Sequence, residues 1–227
     1  EDIDPPREQP GASAQILKTL ELFGLHWDEN ILYQSQQAER YNEVLTDLKK
    51  QGLSYYCQST RAEIKAIGGI YQGHCKEVRH GKNHSATRLI NHYGLHHFTD
   101  IFQGNIHCNQ ALANEDFIIH RKDGLFAYQL AVVADDIEQG ITHIIRGCDL
   151  LEPTARQLTL FKTLAQPAPQ FGHIPLAVTA QGYKLSKQNK ALAINNSQPQ
   201  PALVKALSFL GQKPPCELAF EEVDTII

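Results

Sequence analysis

Two lysines three residues apart, Lys184 and Lys187, flank Ser186 in the stretch Gly182-Tyr183-Lys184-Leu185-Ser186-Lys187-Gln188-Asn189. Each ammonium is a compact point charge with three donors. The Ser186 hydroxyl and nearby backbone N–H groups add neutral hydrogen bonds to the same oxygens. A loop so equipped can close on a phosphate chain. An isolated pattern of this kind is most often a solvated basic turn, so its meaning depends on what the rest of the chain places around it.

Composition narrows the classes. The 227 residues are 42% hydrophobic and carry a net charge of −4. That is enough chain to bury a real core, as one large domain or two small ones. A polyanion partner would need a local basic patch rather than global charge. The five cysteines, at 57, 75, 108, 148 and 216, are odd in number and sparse. They fit a reducing cytoplasm better than a disulfide framework. No apolar run approaches the ~18 residues of a membrane span, and no signal peptide is evident. The chain contains no methionine and opens on Glu1-Asp2-Ile3-Asp4. That opening reads as the end of a strand, with residues missing before it.

The elements that must position the loop follow from periodicity. Apolar residues at Ile16, Leu17, Leu20 and Phe23 predict an amphipathic helix over 12–23, closed by Gly24. Tyr41, Val44, Leu45 and Leu48 predict a second helix over 37–50, and 53–57 a strand. Residues 59–115 hold most of the eleven histidines and show poor helical periodicity. They read as an inserted, mostly β or irregular region, with short strands over 87–90 and 101–108 and a turn at Gly104. Regular alternation then resumes: strand 116–120, helix 126–136, strand 141–146, helix 154–164, strand 174–178. Strands alternating with helices imply crossover connections and a parallel sheet. Ligands of such sheets sit outside the carboxyl ends of the strands. Glu1–Asp4, Arg146-Gly147 and the lysine loop all follow predicted strand ends, so they could share one crevice. Beyond Lys190, a Pro-rich linker leads to a helix over 201–210.

The order of motifs is specific. Glu1-Asp2-Ile3-Asp4-Pro5-Pro6-Arg7 resembles the acidic strand end of the glutamyl branch of class I aminoacyl-tRNA synthetases. Residues 127–136 (Ala-Tyr-Gln-Leu-Ala-Val-Val-Ala-Asp-Asp), followed by Ile145-Arg146-Gly147-Cys148-Asp149-Leu150, resemble that branch's amino-acid pocket. His173-Ile174-Pro175-Leu176 and Lys184-Leu185-Ser186-Lys187-Gln188 resemble its ATP-binding HxPL and KMSKS elements. Within the branch, Asp4-Pro5-Pro6-Arg7-Glu8, Gly68-Gly69-Ile70-Tyr71 and the lysine loop through Asn189 are similar to the glutamyl-Q tRNA(Asp) synthetase family. About 38 residues follow Asn189, too few for the anticodon-binding domain of a full glutamyl-tRNA synthetase. The resemblance implies an α/β fold with a Rossmann-type parallel sheet and an inserted small α+β subdomain. Its implied organisation is catalytic core over 1–56 and 116–190, insertion over 57–115 and a short helical segment over 191–227. The family's HIGH-like segment would precede Glu1.

The resemblance also assigns roles. It implies that Arg146 holds the γ-carboxylate of L-glutamate. A planar guanidinium can grip a carboxylate bidentately and discriminate against the neutral amide of glutamine. Glu1 would face the α-ammonium, and Tyr128 would add a hydroxyl at the amino-acid site. His173, Lys184, Ser186 and Lys187 would bind ATP, with Lys184 and Lys187 acting catalytically as charge builds on the phosphates. Mg2+ is expected with ATP, held mostly by phosphate and water. The glutamyl group would pass to the queuosine base at the wobble position of tRNA(Asp). The expected protein is a cytoplasmic monomer with no membrane partner. Two rivals remain: a truncated enzyme charging tRNA(Glu), and an inactive tRNA-binding paralogue.

The family often carries zinc on a C-x-C…Y-x-x-x-C pattern in the insertion. Here it reads Cys57-Gln58-Ser59…Tyr71-Gln72-Gly73-His74-Cys75. Ser59 stands where a thiolate would be, and zinc favours four ligands with thiolates among them. The metal set Cys57, Tyr71 and Cys75 is therefore incomplete unless His74 substitutes, and tight zinc binding is not expected.

Overall fold

The structure, a computed structural model, describes residues 2–78, 80–185 and 191–227. Glu1, Ser186 and Lys187 lie outside the described residues. Helices α1 (Ala12–Leu22), α2 (Ala38–Lys50), α3 (Arg61–Ala66), α4 (Gln110–Ala113), α5 (Tyr128–Glu138), α6 (Thr154–Thr163), α7 (Pro199–Phe209) and α8 (Val223–Ile226) alternate with seven described strands. These are β1 (Ser54–Cys57), β2 (Ala86–Leu89), β3 (His97–Asp100), β4 (Gly104–His107), β5 (Ile118–His120), β6 (His143–Gly147) and β7 (Gln170–Ile174). No helix among the described residues is long and apolar enough to cross a membrane.

The described chain divides into two units. One comprises residues 2–4 and 33–174; the other comprises 5–32, 175–185 and 191–227. The first unit's core follows from the helix periods. Tyr41 and Leu48, seven residues apart on α2, are fully buried. So are Leu130, Ala131, Val133 and Ala134 on α5, the i, i+1, i+3, i+4 stripe that turns one helix face inward. Leu89, Phe117, Ile119, Leu160, Phe161 and Phe171 complete this core.

The parallel pairing expected from strand–helix alternation is found between β6 and β7, from His143 opposite Gln170 to Gly147 opposite Ile174. Helix α6 makes the crossover. A second sheet, β1-β2-β5, is antiparallel, and β3 and β4 form an antiparallel hairpin.

Three sequence expectations are corrected. The strand expected over 174–178 lies four residues earlier, over Gln170–Ile174. Pro175 has no N–H to offer a ladder, so the apolar run beyond Ile174 cannot extend it. The strand expected over 101–108 is two strands around a turn. The Asp100 carboxylate accepts the N–H groups of Phe102 and Gln103, both at 3.0 Å, and Gly104 takes a left-handed φ of 72°. Such a side-chain-to-backbone turn outcompetes the extended conformation. Third, Asp2 and Ile3 form a turn rather than a strand end. Asp2 accepts hydrogen bonds from the backbone N–H and hydroxyl of Ser35, and Asp4 pairs with Arg121 at 3.4 Å.

In the second unit, residues 177–185 fold back on themselves. Thr179 N–H reaches the carbonyl of Tyr183 at 2.8 Å, and Leu185 N–H that of Ala177 at 2.9 Å. Gly182 closes the turn with a φ of 83°, a conformation cheap only for glycine. Thr19 on α1 accepts a hydrogen bond from the Asn196 amide at 2.8 Å.

Candidate active site

Arg146 sits one residue from the carboxyl end of β6, half-buried. Its Nε donates to His173 Nε2 at 3.1 Å. Its Nη2 donates to Thr154 Oγ1 and Gln157 Oε1, each at 2.7 Å. The guanidinium carbon lies 4.9 Å from the centre of the Phe171 ring. Tyr128, the first residue of α5, hydrogen-bonds the same group. Burial lowers the pKa of Arg146, while Tyr128, Asp136 and Asp149 act in the opposite direction. Three N–H donors, on Nε and Nη2, thus go to His173, Thr154 and Gln157, in addition to the bond with Tyr128.

The structure brings Tyr128, Arg146 and His173 together in one unit. His173 does not precede its strand as expected. It lies within β7 and is fully buried. Its Nδ1 is 2.6 Å from Asp100 Oδ2, its backbone N–H donates to Asp100 Oδ1 at 3.1 Å, and its ring stacks on Phe171 with centres 6.3 Å apart. Burial works to raise the pKa of Asp100, but hydrogen bonds from His173, Gln103 and Phe102 more than offset it and hold the carboxyl below its ordinary value. Lys184 belongs to the other unit, where it bridges to Val178 at the end of the folded-back segment leading to Ser186.

Asp136 faces this cluster. Its pKa is pushed up to about 6 by burial and then by the charge of Asp135, against the pull of Arg146. Asp135 itself accepts from the Tyr41 hydroxyl at 2.8 and 3.0 Å and from Gln34 at 2.6 Å, so it ties α2 to α5. Sequence reasoning missed Asp100, Thr154 and Gln157. The two α6 residues had a signal, since polar side chains three apart share one helix face. Asp100 is 73 residues from His173 and had none.

The cluster Cys57–Tyr71–Cys75 is also assembled and buried, but its chemistry does not fit zinc. Ser59 Oγ is 2.7 Å from His74 Nε2 and 3.1 Å from Cys75 Sγ. Tyr71 Oη accepts the N–H of Cys75 at 2.9 Å. The guanidinium of Arg88 lies 3.7 Å from the centre of the Tyr71 ring, with Nε donating to Cys57 Sγ at 3.2 Å. A fixed cation thus occupies the neighbourhood that a dication would need. Among the described residues, no three His, Cys, Asp or Glu groups are placed to hold a metal.

The family description "tRNA synthetases class I (E and Q), catalytic domain" matches residues 1–220. A glutamyl-Q tRNA(Asp) synthetase of Colwellia psychrerythraea is 67% identical over 232 residues, covering 100% of this chain and 74% of that protein. Its counterpart from Escherichia coli K12 is 54% identical over 213 residues, covering 94% and 69%. Among solved structures, the glutamate-tRNA synthetase of Elizabethkingia anophelis superposes with a TM-score of 0.77 at 23% identity, covering 100% of this chain and 57% of that one, which speaks for the fold alone. The glutamate tRNA ligase of Elizabethkingia meningosepticum, solved with its amino acid, gives a TM-score of 0.68 at 25% identity, covering 82% and 44%. The chain thus spans about half the length of these solved chains, and the agreement over all or nearly all of its own residues with the two glutamyl-Q tRNA(Asp) synthetases sets its place: it belongs to the class I (E and Q) tRNA synthetases, among the glutamyl-Q tRNA(Asp) synthetases.

Proposed function

We propose that this protein activates L-glutamate with ATP and transfers the glutamyl group to the queuosine base at the wobble position of tRNA(Asp). The observation that carries this reading is Arg146, a half-buried guanidinium at a strand end whose Nε and Nη2 bonds go to neutral atoms. A cation so placed binds an anion, and the relatives' name supplies glutamate. The γ-carboxylate would be met through Nη1, beside the Tyr128 hydroxyl. The Nε–Nη2 edge expected for a bidentate grip is already engaged. Glu1 would take the α-ammonium.

The glutamate α-carboxylate attacks the α-phosphorus of ATP; the bond to the β-phosphate oxygen breaks and pyrophosphate leaves. Lys184, Ser186 and Lys187 would stabilise the charge that builds there, with Mg2+ supplied with the nucleotide. Donors aimed at developing charge are each worth about 10²–10³ in rate. A hydroxyl of the queuosine cyclopentenediol then attacks the glutamyl carbonyl, loses its proton, and AMP leaves. The reading makes this a cytoplasmic ligase.

The test is to incubate the intact protein with labelled glutamate, ATP and queuosine-containing tRNA(Asp), digest the tRNA and map the label by mass. Label on the queuosine nucleoside is expected. Label on a 3′-terminal adenosine would favour the tRNA(Glu)-charging rival. Absence of glutamate-dependent ATP–pyrophosphate exchange would favour the inactive paralogue.

A further inference from the structure

Resting on Arg146 as the carboxylate-binding cation, we propose that Asp100 and His173 are positioning residues that fix its guanidinium through a buried chain, Asp100–His173–Arg146. Two facts determine the proton positions. Arg146 Nε can only donate, so His173 Nε2, at 3.1 Å, must carry a lone pair. The Asp100 carboxylate can only accept when ionised, so His173 Nδ1, at 2.6 Å, must carry the proton. The ring is therefore the neutral Nδ1–H tautomer. Asp100 sets that tautomer, much as an outer carboxylate sets the donor face of a ligating imidazole.

The chain is also held mechanically. Asp100 is 2% exposed and His173 fully buried. The β3–β4 turn that carries Asp100 is stitched to β7 by Ile101 N–H to the Phe171 carbonyl at 2.8 Å and by Gln103 Nε2 to the His173 carbonyl at 2.8 Å. The imidazole and the guanidinium lie against the same aromatic ring, Phe171. Thr154, itself donating to the Leu150 carbonyl at 2.8 Å, and Gln157 hold the other side of the group. A planar guanidinium tied at both Nε and Nη2 has its plane fixed. An arginine free in solution carries substantial rotamer entropy, and ordering it before the ligand arrives removes that cost from binding. The hairpin thereby acts on the amino-acid site without touching the substrate.

The test is glutamate-dependent ATP–pyrophosphate exchange in the intact protein, comparing His173→Asn, His173→Gln and Arg146→Gln. Asparagine keeps a donor near Nδ1 for Asp100 but offers nothing at the Nε2 position. Glutamine carries its carbonyl to that position. His173→Asn is expected to raise the glutamate KM at least about tenfold, the size of one lost hydrogen bond to a charged group, with the ATP KM unchanged. His173→Gln should recover most of the loss. A glutamate KM unchanged in His173→Asn, or raised equally in both His173 variants, overturns the positioning role. Arg146→Gln separates the two layers: if it leaves glutamate use intact, the reading of Arg146 fails; if it abolishes use while His173→Asn does nothing, only the present inference fails. Should His173→Asn not fold, long-range imidazole 15N correlation on the wild-type chain decides. The neutral Nδ1–H tautomer supports the chain; an Nε2–H or doubly protonated ring overturns it.

Discussion

Among the arginines that lie over aromatic rings, Arg88 and Arg146 are handled differently. Arg88 is 2% exposed, 3.7 Å from the centre of Tyr71. The protein neutralises it with its own groups. Nη1 donates to the Asp116 carbonyl at 2.6 Å and lies 3.8 Å from Glu115 Oε1, and Nε meets Cys57. Arg146, half-buried over Phe171, directs its Nε and Nη2 donors to an imidazole, a hydroxyl and an amide oxygen. A buried cation with its counter-charges supplied holds structure together. A cation whose hydrogen bonds go to neutral acceptors at a strand end, with Asp136 and Asp149 acting on it through charge, is placed to meet a ligand. The contrast teaches that partner type, more than burial, separates a structural arginine from a binding one.

The largest stability effect is expected on the structural side. Arg88→Leu leaves the buried Asp116 carbonyl and Cys57 thiol without their donor, while Glu115 keeps Arg156 and the Tyr71 N–H, and should cost about 1–3 kcal/mol by urea denaturation, the usual penalty for buried polar groups left unsatisfied. Arg146→Gln should cost less. The reverse order would break the comparison.

The two clusters should also answer pH with opposite slopes. The folded chain holds the Asp136 proton up to about pH 6, whereas an unfolded aspartate releases it near 4. That term is stabilising below about pH 4 and is lost as pH rises through about 6. Near Arg88, burial works to raise the pKa of Cys75, but hydrogen bonds from Ser59, Tyr71 and Cys57 more than offset it and hold the thiol at about 6. An unfolded thiol titrates near 8.5, so this term is present above about pH 8.5 and lost as pH falls to about 6. Melting scans of Asp136→Asn should therefore show a gain of about 2 °C at pH 7.5 and none at pH 4. Cys75→Ser should flatten the curve between pH 6 and 8.5 instead. Identical pH profiles for wild type and both variants would remove the electrostatic distinction.

The smallest effect concerns metal. With Arg88 beside Cys57 and Ser59 bonded to both His74 and Cys75, chelator treatment should leave both melting temperature and glutamate activation unchanged. Elemental analysis finding one tightly held zinc per chain would contradict this and make the Arg88 cluster a metal centre rather than an arginine-held one.

Much of this was legible in the chain itself. The periodic stripes on α2 and α5 place Tyr41, Leu48, Leu130 and Val133 in the core, as spacing alone predicts. Tyr128, Arg146 and His173 were singled out by motif order, and the structure gathers them in one unit, while Ser186 and Lys187 of the lysine loop lie outside the described residues. Long-range pairing was not. Nothing near His173 indicates that Asp100 completes its hydrogen bonds, because the hairpin bringing them together is set by contacts between distant strands. The strand itself was misplaced because apolar content draws the eye to Ile174–Val178, while Pro175 decides where the ladder ends. The assembly of Cys57, Tyr71 and Cys75 was legible from their motif, yet Arg88 beside them went unnoticed. An arginine on a short strand gives no local sign of which way its charge is neutralised.

The most direct test of the central claim is ATP–pyrophosphate exchange by the intact protein with glutamate and with glutamine, in wild type and in Arg146→Gln. Wild type should use glutamate and discriminate strongly against glutamine. Arg146→Gln should lose glutamate activation at least about a hundredfold, the loss expected when a buried charged partner of the substrate is removed, while ATP binding survives. Near-wild-type exchange with glutamate in Arg146→Gln would show that the γ-carboxylate is held elsewhere and would contradict the account.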